Sequence, residues 1–336
     1  MIARCGLIAG FVGLSASSSA WASSAAGEEW LTLTDAAPPN ILFVVDLSNQ
    51  MTNPCEWGGD ESFDPTDDSC IEDVEDAIDH LTKHYDWARY GVVGTTGGAA
   101  EDGMTKIVPL GASHSEISSA IDGLSDKVSE FATPTRNLAE VLATLADTYF
   151  TNTAEDDDDV DSDGDGYDAD WTKAPIQYSC QQNHIVVLTS TYPQNDDNVD
   201  SSYTNSISPD IKCDATGMTT GTDEDCLYDN VVSYMNATDF RSDLSGTNNV
   251  KVHTLALGVG SSSVAESLYG NASDATDGEG IYSSVDDGDE IIAKLMFMMR
   301  DIRSGYYSRS TPVVSADGAY LIYTCYQLGG TLTGAG

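Results

Sequence analysis

Short apolar runs alternate with segments of helical periodicity from residue 40 onward. Ile41 to Val45 is a continuous apolar run, which is typical of a strand buried on both faces of a sheet. The same pattern predicts further strands at Arg89 to Thr95, Lys106 to Leu110, His184 to Thr189, within Val250 to Gly258, and at Gly280 to Val285.

Apolar residues at helical spacing lie between these strands. The first predicted helix carries Ile71, Val74, Ile78, Leu81 and Tyr85. Strands that alternate with helices predict an α/β domain, with a mostly parallel central sheet and helices on both faces. Further helices are predicted at Ile117 to Leu124, Leu138 to Leu145, Val264 to Leu268 and Asp289 to Arg303, the last with Ile291, Ile292, Leu295, Met296 and Met299 on its apolar face.

Polar segments divide the chain into regions. Residues 39–308 carry the alternating pattern and are interpreted as one domain, after a linker at 23–38. Acidic and Ser/Thr/Asn-rich stretches predict insertions at 51–69, 151–180 and 192–228. Residues 309–336 are interpreted as the start of a truncated C-terminal β region.

The N-terminus has the order of a secretory signal. Arg4 precedes an apolar run from Leu7 to Leu14, and Ala20-Trp21-Ala22 is a small-x-small cleavage pattern. We therefore interpret residues 1–22 as a signal peptide and expect an exported protein of the periplasm, cell surface or extracellular space. No later apolar run approaches the roughly 18 residues of a membrane helix, so no transmembrane segment is expected.

The charge balance narrows the range of partners. The chain has 55 acidic and 14 basic residues, a formal net charge of −41. This excess repels nucleic acid and anionic lipid, so a nucleic-acid-binding function is excluded. A protein or surface ligand is the expected partner.

Polar motifs follow two of the predicted buried strands. Asp46-Leu47-Ser48-Asn49-Gln50 begins where the first strand ends, and Thr189-Ser190-Thr191 ends a later strand. Thr133-Pro134-Thr135 precedes a predicted helix. Ligands of open α/β sheets gather at strand carboxyl ends, and a carboxylate and a hydroxyl two residues apart can hold a hard cation.

Four segments in this order, PNILFVVDLSNQM, TPTRNLAEVL, HIVVLTST and VHTLALGV, resemble a von Willebrand factor type A domain. The resemblance covers about residues 39–308 and implies a Rossmann-like fold. It also implies a metal-ion-dependent adhesion site for Mg²⁺ or Mn²⁺, with Asp46, Ser48 and Thr133 as retained ligands.

Two positions depart from the family's adhesion site. Gln50 stands where the family has a second serine, and Ser190 stands where it has an aspartate. The lost carboxylate weakens the charge that offsets dehydration of the ion. A degenerate site, a site that recruits Asp196 or Asp197, and a purely capping role for Asp46 and Thr133 all stay open at this stage.

A second motif predicts calcium binding. Residues 159–170, DVDSDGDGYDAD, fit the order of an EF-hand-type loop. Gly164 supplies the turn, no helix pair flanks the loop, and a solvated acidic linker is the alternative. The predicted Ca²⁺ ligands are Asp159, Asp161, Asp163, Asp165 and Asp170.

Six cysteines follow the signal peptide, and an even number in an exported chain predicts disulfides. The topology of the type A fold places Cys55, Cys70, Cys213 and Cys226 on one face, and Cys180 and Cys325 on the other. The predicted pairs are therefore Cys55–Cys70, Cys213–Cys226 and Cys180–Cys325, with a swap between the first two pairs as the alternative.

No catalytic set is apparent, and we expect the protein not to be an enzyme. His80 and His84 form an i, i+4 pair, but the segment lacks the Glu of a metalloprotease H-E-x-x-H motif. We interpret them as surface residues.

The ends of the chain resemble the N-terminal part of PilY-type pilus-tip adhesins. The shared features are a signal peptide, an immediate type A-like domain with TNPC after its first motif, and SRSTPVVSADGAYLIYTCYQ after the last helix. The resemblance implies type IV pilus assembly and surface attachment, with pilins as possible partners. The alternatives are a non-pilus secreted scaffold or matrix-binding protein, and the accessory domain of a larger secreted enzyme.

Overall fold

Six strands form one sheet in the order β3-β2-β1-β4-β5-β6. All neighbouring strands are parallel except β2 and β3, which are antiparallel. The computed structural model describes residues 37–55, 69–95, 104–130, 137–153, 170–179, 181–190, 193, 196, 199, 227–244, 246–259, 263–273, 279–306, 313–314 and 321–322. The strands are β1 (Asn40–Val45), β2 (Arg89–Thr95), β3 (Met104–Val108), β4 (Asn183–Thr189), β5 (Val250–Leu257) and β6 (Tyr282–Val285).

Helices cover both faces of the sheet. In the part of the chain that the structure describes, they are α1 (Cys70–His84), α2 (His114–Ile121), α3 (Leu124–Glu130), α4 (Leu138–Thr144), α5 (Leu227–Ala237), α6 (Ser263–Ala272) and α7 (Ile291–Tyr306). Helices α4, α5 and α6 pack on the face that carries Leu42 and Val44, and α1, α2, α3 and α7 pack on the face that carries Ile41 and Phe43. The predicted α/β class with two helical layers is therefore confirmed.

The central strand shows why the apolar runs are continuous. All six residues of β1 are buried, because side chains alternate between two covered faces. None of the helices among the described residues is long and apolar enough to cross a membrane.

Several element boundaries differ from the sequence prediction. β3 ends at Val108, two residues before the predicted Leu110, because Pro109 has no N–H to donate to the sheet. The helix predicted from Ile117 to Leu124 is two helices, separated at Asp122 and Gly123, where glycine disfavours helix.

The apolar face predicted for the last helix is wrong at Met296, which is 39% exposed. The buried stripe instead runs along Ile291, Leu295, Met298, Met299 and Ile302. These positions recur at three- and four-residue spacing, which keeps them on one narrow side of α7.

The end of the predicted 151–180 insertion packs against the domain. Ile176 is fully buried, and the Trp171 ring lies 5.1 Å from the ring of Tyr149. Tyr149 belongs to a π-helical turn, Leu145–Phe150, that continues α4.

A cluster of polar side chains closes the amino ends of β1, β2 and β4. We call it the Asn40 cluster, and it comprises Asn40, Arg89, Gln181 and Asn183 with the Pro175 carbonyl. The Asn40 amide donates to Pro175 O at 2.7 Å and to Asn183 Oδ1 at 2.8 Å. Its Oδ1 accepts from Arg89 at 3.1 Å and from Gln181 at 3.3 Å. The cluster therefore joins three strands to the segment that follows the predicted calcium loop.

A two-stranded antiparallel ladder belongs to a separate compact unit. It pairs β7 (Val313–Val314) with β8 (Leu321–Ile322). The predicted signal peptide at 1–22 lies outside the described residues.

Candidate functional site

The carboxyl ends of β1 and β4 form the point at which the strand order reverses. The chain leaves β1 for β2 on one side, and β4 lies on the other side of β1. In open α/β sheets this switch point opens a crevice in which ligands bind. Asp46 follows β1 directly, and Ser190 follows β4 directly, so both lie at the crevice.

The Asp46 carboxylate is fully buried and joins the two strand ends. Its Oδ1 accepts from the Ser48 N–H at 2.8 Å. Its Oδ2 accepts from the Thr189 hydroxyl at 3.1 Å and from both the N–H and the hydroxyl of Ser190 at 3.3 Å. Ser190, at the position where the family has an acid, thus hydrogen-bonds to Asp46.

Ser48 is the second retained residue of the motif and is 1% exposed. Its hydroxyl has no hydrogen-bond partner among the described residues. Its backbone carbonyl accepts from Met51 N in the short 3₁₀-helix Asn49–Thr52. A buried hydroxyl without a partner costs about 1–3 kcal/mol, so a partner beyond the described protein atoms would stabilise this site.

The loop that carries the motif is fixed on both sides. The Leu47 N–H donates to the Thr95 hydroxyl at 2.8 Å, at the end of β2. Gly94 makes room for this approach, because a Cβ there would lie 2.3 Å from Leu47 Cδ1. A Cys55–Cys70 disulfide, as predicted from the sequence, ties the end of the loop to the start of α1.

The α4 amino terminus supplies further buried polar groups. The Asp196 carboxylate is fully buried and accepts from the Glu140 N–H at 3.2 Å in the first turn of α4. The Asn137 amide donates to Glu140 Oε2 at 3.1 Å. Asp196 is therefore held at α4, whereas the four hydrogen bonds to Asp46 come from Ser48, Thr189 and Ser190. Thr133 and Asp197 lie outside the described residues.

The residues at this crevice have the chemistry to hold a divalent cation, although they offer it little negative charge. Asp46 is a buried carboxylate whose partners are four neutral donors, and buried carboxylates are ordinarily paired with a base or a metal. The unpartnered Ser48 hydroxyl is the oxygen that the family's motif aims at its ion. Within the described ranges, no three His, Cys, Asp or Glu side chains form a ligand set, so an ion held at Asp46 would also depend on neutral oxygen ligands or water.

The predicted calcium loop is described only at its last residue. Asp159, Asp161, Asp163 and Asp165 lie outside the described residues. Asp170 Oδ1 accepts from the Thr172 N–H at 2.9 Å, and this bond lowers the pKa of Asp170. The Asn152 amide donates to Thr172 O at 2.7 Å, so the two ends of the segment that contains the loop lie side by side.

The other predicted disulfides cannot be placed. Cys180, Cys213, Cys226 and Cys325 lie outside the described residues, so the pairs Cys213–Cys226 and Cys180–Cys325 stay predictions.

A buried histidine pair lies at β4 and β5 and was missed in the sequence. His253 Nδ1 accepts from the Ile281 N–H at 3.1 Å, so the proton of neutral His253 is on Nε2. That nitrogen lies 2.9 Å from His184 Nδ1, to which it donates. The proton of His184 is therefore on its Nε2, which has no hydrogen-bond partner among the described residues.

Burial disfavours the charged form of both histidines. It lowers the pKa of His253 to about 3, with a further contribution from Lys251. It also lowers the pKa of His184 well below its ordinary value, with contributions from His253 and Lys251. The two histidines lie 69 residues apart, so their contact is not visible in the sequence. The one available signal was that each lies in a predicted buried strand.

No protein-family model matches the sequence, and no curated protein matches it. Several solved structures are similar to this chain, with low TM-scores and low sequence identities. The von Willebrand factor domain of Mfa5, a type V pili tip protein from Porphyromonas gingivalis, has a TM-score of 0.45 and 8% identity, over 81% of this chain and 97% of that one. The PilB minor pilin from Streptococcus sanguinis has a TM-score of 0.45 and 11% identity, over 80% of this chain and 62% of that one.

A von Willebrand factor type A protein from Catenulispora acidiphila has a TM-score of 0.37 and 11% identity, over 81% of this chain and 43% of that one. The strand order of this chain, its antiparallel edge strand and its Asp-x-Ser motif after β1 make the domain von Willebrand factor type A-like.

Proposed function

We propose that the chain is an exported, cell-surface adhesion module of the type IV pilus kind, which binds a protein or surface ligand through a cation at the β1–β4 crevice. One observation carries the proposal: a buried carboxylate without a basic partner and a buried hydroxyl without any described partner lie two residues apart at the switch point. The pilus assignment rests on the sequence resemblance to PilY-type adhesins, with pilins as candidate partners.

The protein residues at the crevice have distinct roles in this proposal. Asp46 and Ser48 would hold Mg²⁺ or Mn²⁺, together with Thr133 by the family resemblance. The bound ion would supply a positive charge for oxygen ligands of the partner. Ser190 and Thr189 orient the Asp46 carboxylate through their hydrogen bonds. We propose that this domain binds and does not catalyse.

Saturating Mn²⁺ is expected to raise the melting temperature of the full chain. Binding at 100 times the dissociation constant stabilises a protein by about 2.7 kcal/mol, which is about 5 °C or more for a domain of this size. The titration should use the Asp161→Ala/Asp163→Ala background, so that the predicted calcium loop does not contribute. Differential scanning calorimetry measures the shift.

Asp46→Asn is the matched variant, because it keeps the side-chain volume and removes the charge. It is expected to abolish the Mn²⁺ shift. Beads coated with the full chain should attach to glass in Mn²⁺ and detach in EDTA, and Asp46→Asn beads should not attach in either buffer. Equal attachment by both proteins would contradict the proposed adhesion site.

We also propose that residues 159–170 bind Ca²⁺ and stiffen the segment that leads into the Asn40 cluster. The Asp-x-Asp-x-Asp-Gly order supports this proposal. The hydrogen bond from Asn152 to Thr172, which holds the two ends of the segment together, supports it as well. Ca²⁺ at 100 times its dissociation constant is expected to raise the melting temperature by about 5 °C or more. Asp161→Ala/Asp163→Ala should lose this shift, whereas Asp46→Asn should keep it. An unchanged melting temperature of the wild type in Ca²⁺ would remove this site.

A further inference from the structure

Two histidine rings lie against each other on the last turn of α1, away from the crevice and the calcium loop. His80 and His84 are one helical turn apart, and their ring centroids are separated by 4.4 Å. His84 is the last residue of α1 and is exposed, and His80 is half-buried.

One hydrogen bond fixes the tautomer of His84. Its Nδ1 lies 2.8 Å from the His80 carbonyl oxygen. A carbonyl only accepts hydrogen bonds, so Nδ1 carries the proton and Nε2 of the neutral ring presents its lone pair. Histidines that ligate metals ordinarily donate their other ring N–H to a carbonyl or a carboxylate in this way. His84 is therefore already in the form of a metal ligand.

The spacing of the rings suits a shared ion. Two imidazole nitrogens that each lie about 2.1 Å from one metal ion are about 3–4 Å apart. With His84 held by its hydrogen bond, rotation of the His80 ring would bring one of its nitrogens to that separation from His84 Nε2, starting from the observed centroid distance of 4.4 Å.

The surroundings also favour a cation. The carboxyl end of a helix carries partial negative charge. Asp76 and Asp79 precede the pair on α1, Asp86 follows it, and Lys83 is the one base between the two histidines. His114 of α2 instead contacts Asp79 at 3.8 Å and the Thr82 hydroxyl at 3.1 Å, so it belongs to a different set of contacts.

We propose that His80 and His84 form a two-imidazole site for a borderline transition metal, namely Zn²⁺, Cu²⁺ or Ni²⁺. Imidazole ligands select these ions over Ca²⁺ and Mg²⁺, which prefer oxygen. The remaining coordination positions are open to water. The site is independent of the cation at Asp46 and of the calcium loop, because it uses neither the same residues nor the same ligand chemistry.

Titration calorimetry of the full chain with Zn²⁺ tests the proposal, in millimolar Ca²⁺ and Mg²⁺ to occupy the carboxylate sites. The wild type is expected to bind Zn²⁺ under these conditions. His80→Ala and His84→Ala should each weaken that binding about tenfold or more, and His114→Ala should leave it unchanged. Cu²⁺ bound to the wild type should show two imidazole nitrogens in its pulsed electron paramagnetic resonance spectrum, and one in each single variant.

Circular dichroism of the variants separates loss of the site from loss of the fold, since alanine has the highest helix propensity and is expected to leave α1 intact. Zn²⁺ binding that survives His80→Ala and His84→Ala together would overturn the proposal. An equal loss in His114→Ala, or a Cu²⁺ spectrum without imidazole nitrogens, would overturn it as well.

Discussion

Lowering the pH from 7 to 4.5 is expected to reduce the free energy of unfolding by about 2.5 kcal/mol through His253, with a further loss in the same direction through His184. Both imidazoles are buried and neutral, and each accepts a hydrogen bond at the nitrogen that acid would protonate. A proton added to His253 Nδ1 would face the Ile281 N–H, and a proton added to His184 Nδ1 would face the His253 N–H. Each would replace a hydrogen bond with a repulsive contact between two donors.

The sign follows from the lowered pKa values. An unfolded histidine takes up a proton near pH 6.5, whereas the pKa of folded His253 is about 3 and that of His184 is also depressed. Between these values the unfolded chain binds more protons, so stability is complete above pH 6.5 and falls as the pH decreases. His253 contributes about 1.4 kcal/mol per pH unit in this window, and the lowered pKa of His184 adds a loss of the same sign.

Urea unfolding at pH 7, 6, 5 and 4.5 measures the effect, with His184→Leu/His253→Gln as the comparison. Glutamine keeps an acceptor for the Ile281 N–H, and leucine fills the site of the ring that has an unpartnered nitrogen. The carboxylates titrate in both proteins, so they cancel in the difference. The double variant should lose less stability than the wild type over this range, by about 2.5 kcal/mol or more; equal pH dependence would contradict the buried neutral pair.

Replacing Asn40 with alanine is expected to cost about 4 kcal/mol of stability. Asn40 is fully buried and makes four hydrogen bonds in the Asn40 cluster. Each is worth about 0.5–1.5 kcal/mol, and the loss leaves buried partners such as Asn183 Oδ1 and the Arg89 guanidinium with fewer contacts. Chemical unfolding at pH 7 measures the difference.

Asn152→Ala is the control for this prediction, because Asn152 is also an asparagine that donates to a carbonyl but is partly exposed. It should cost about 1 kcal/mol. A cost for Asn40→Ala as small as that of the control would show that the cluster does not hold the strand ends together.

The strands were predictable because a strand that is buried on both sheet faces needs apolar residues at consecutive positions, and such a run is visible in the sequence. The predicted Arg89 to Thr95 strand coincides with β2, and the predicted His184 to Thr189 strand begins one residue late. Helix α5 was not predicted, although Leu227, Val231 and Met235 have helical spacing. The polar, Cys-containing stretch before α5 predicted an insertion at 192–228, and this range included the first two residues of the helix.

The candidate site was only partly predictable. The motif at Asp46 and Ser48 is visible because its members are adjacent in sequence, and its place after an apolar run identifies a strand end. The Ser190 contact with Asp46 depends on how β4 lies beside β1, and a departure from the family pattern does not reveal what the new side chain binds. The His184–His253 contact has the same origin, since it joins residues of two strands.

The most direct test of the proposed crevice site is anomalous diffraction from crystals of the full chain grown with Mn²⁺. A peak within coordination distance of the Asp46 carboxylate and the Ser48 hydroxyl is expected, and it should be absent from Asp46→Asn crystals. A well-ordered crevice without a manganese peak, in crystals whose solvent contains Mn²⁺ at concentrations that stabilise the protein, would contradict the claim that this domain binds through a cation.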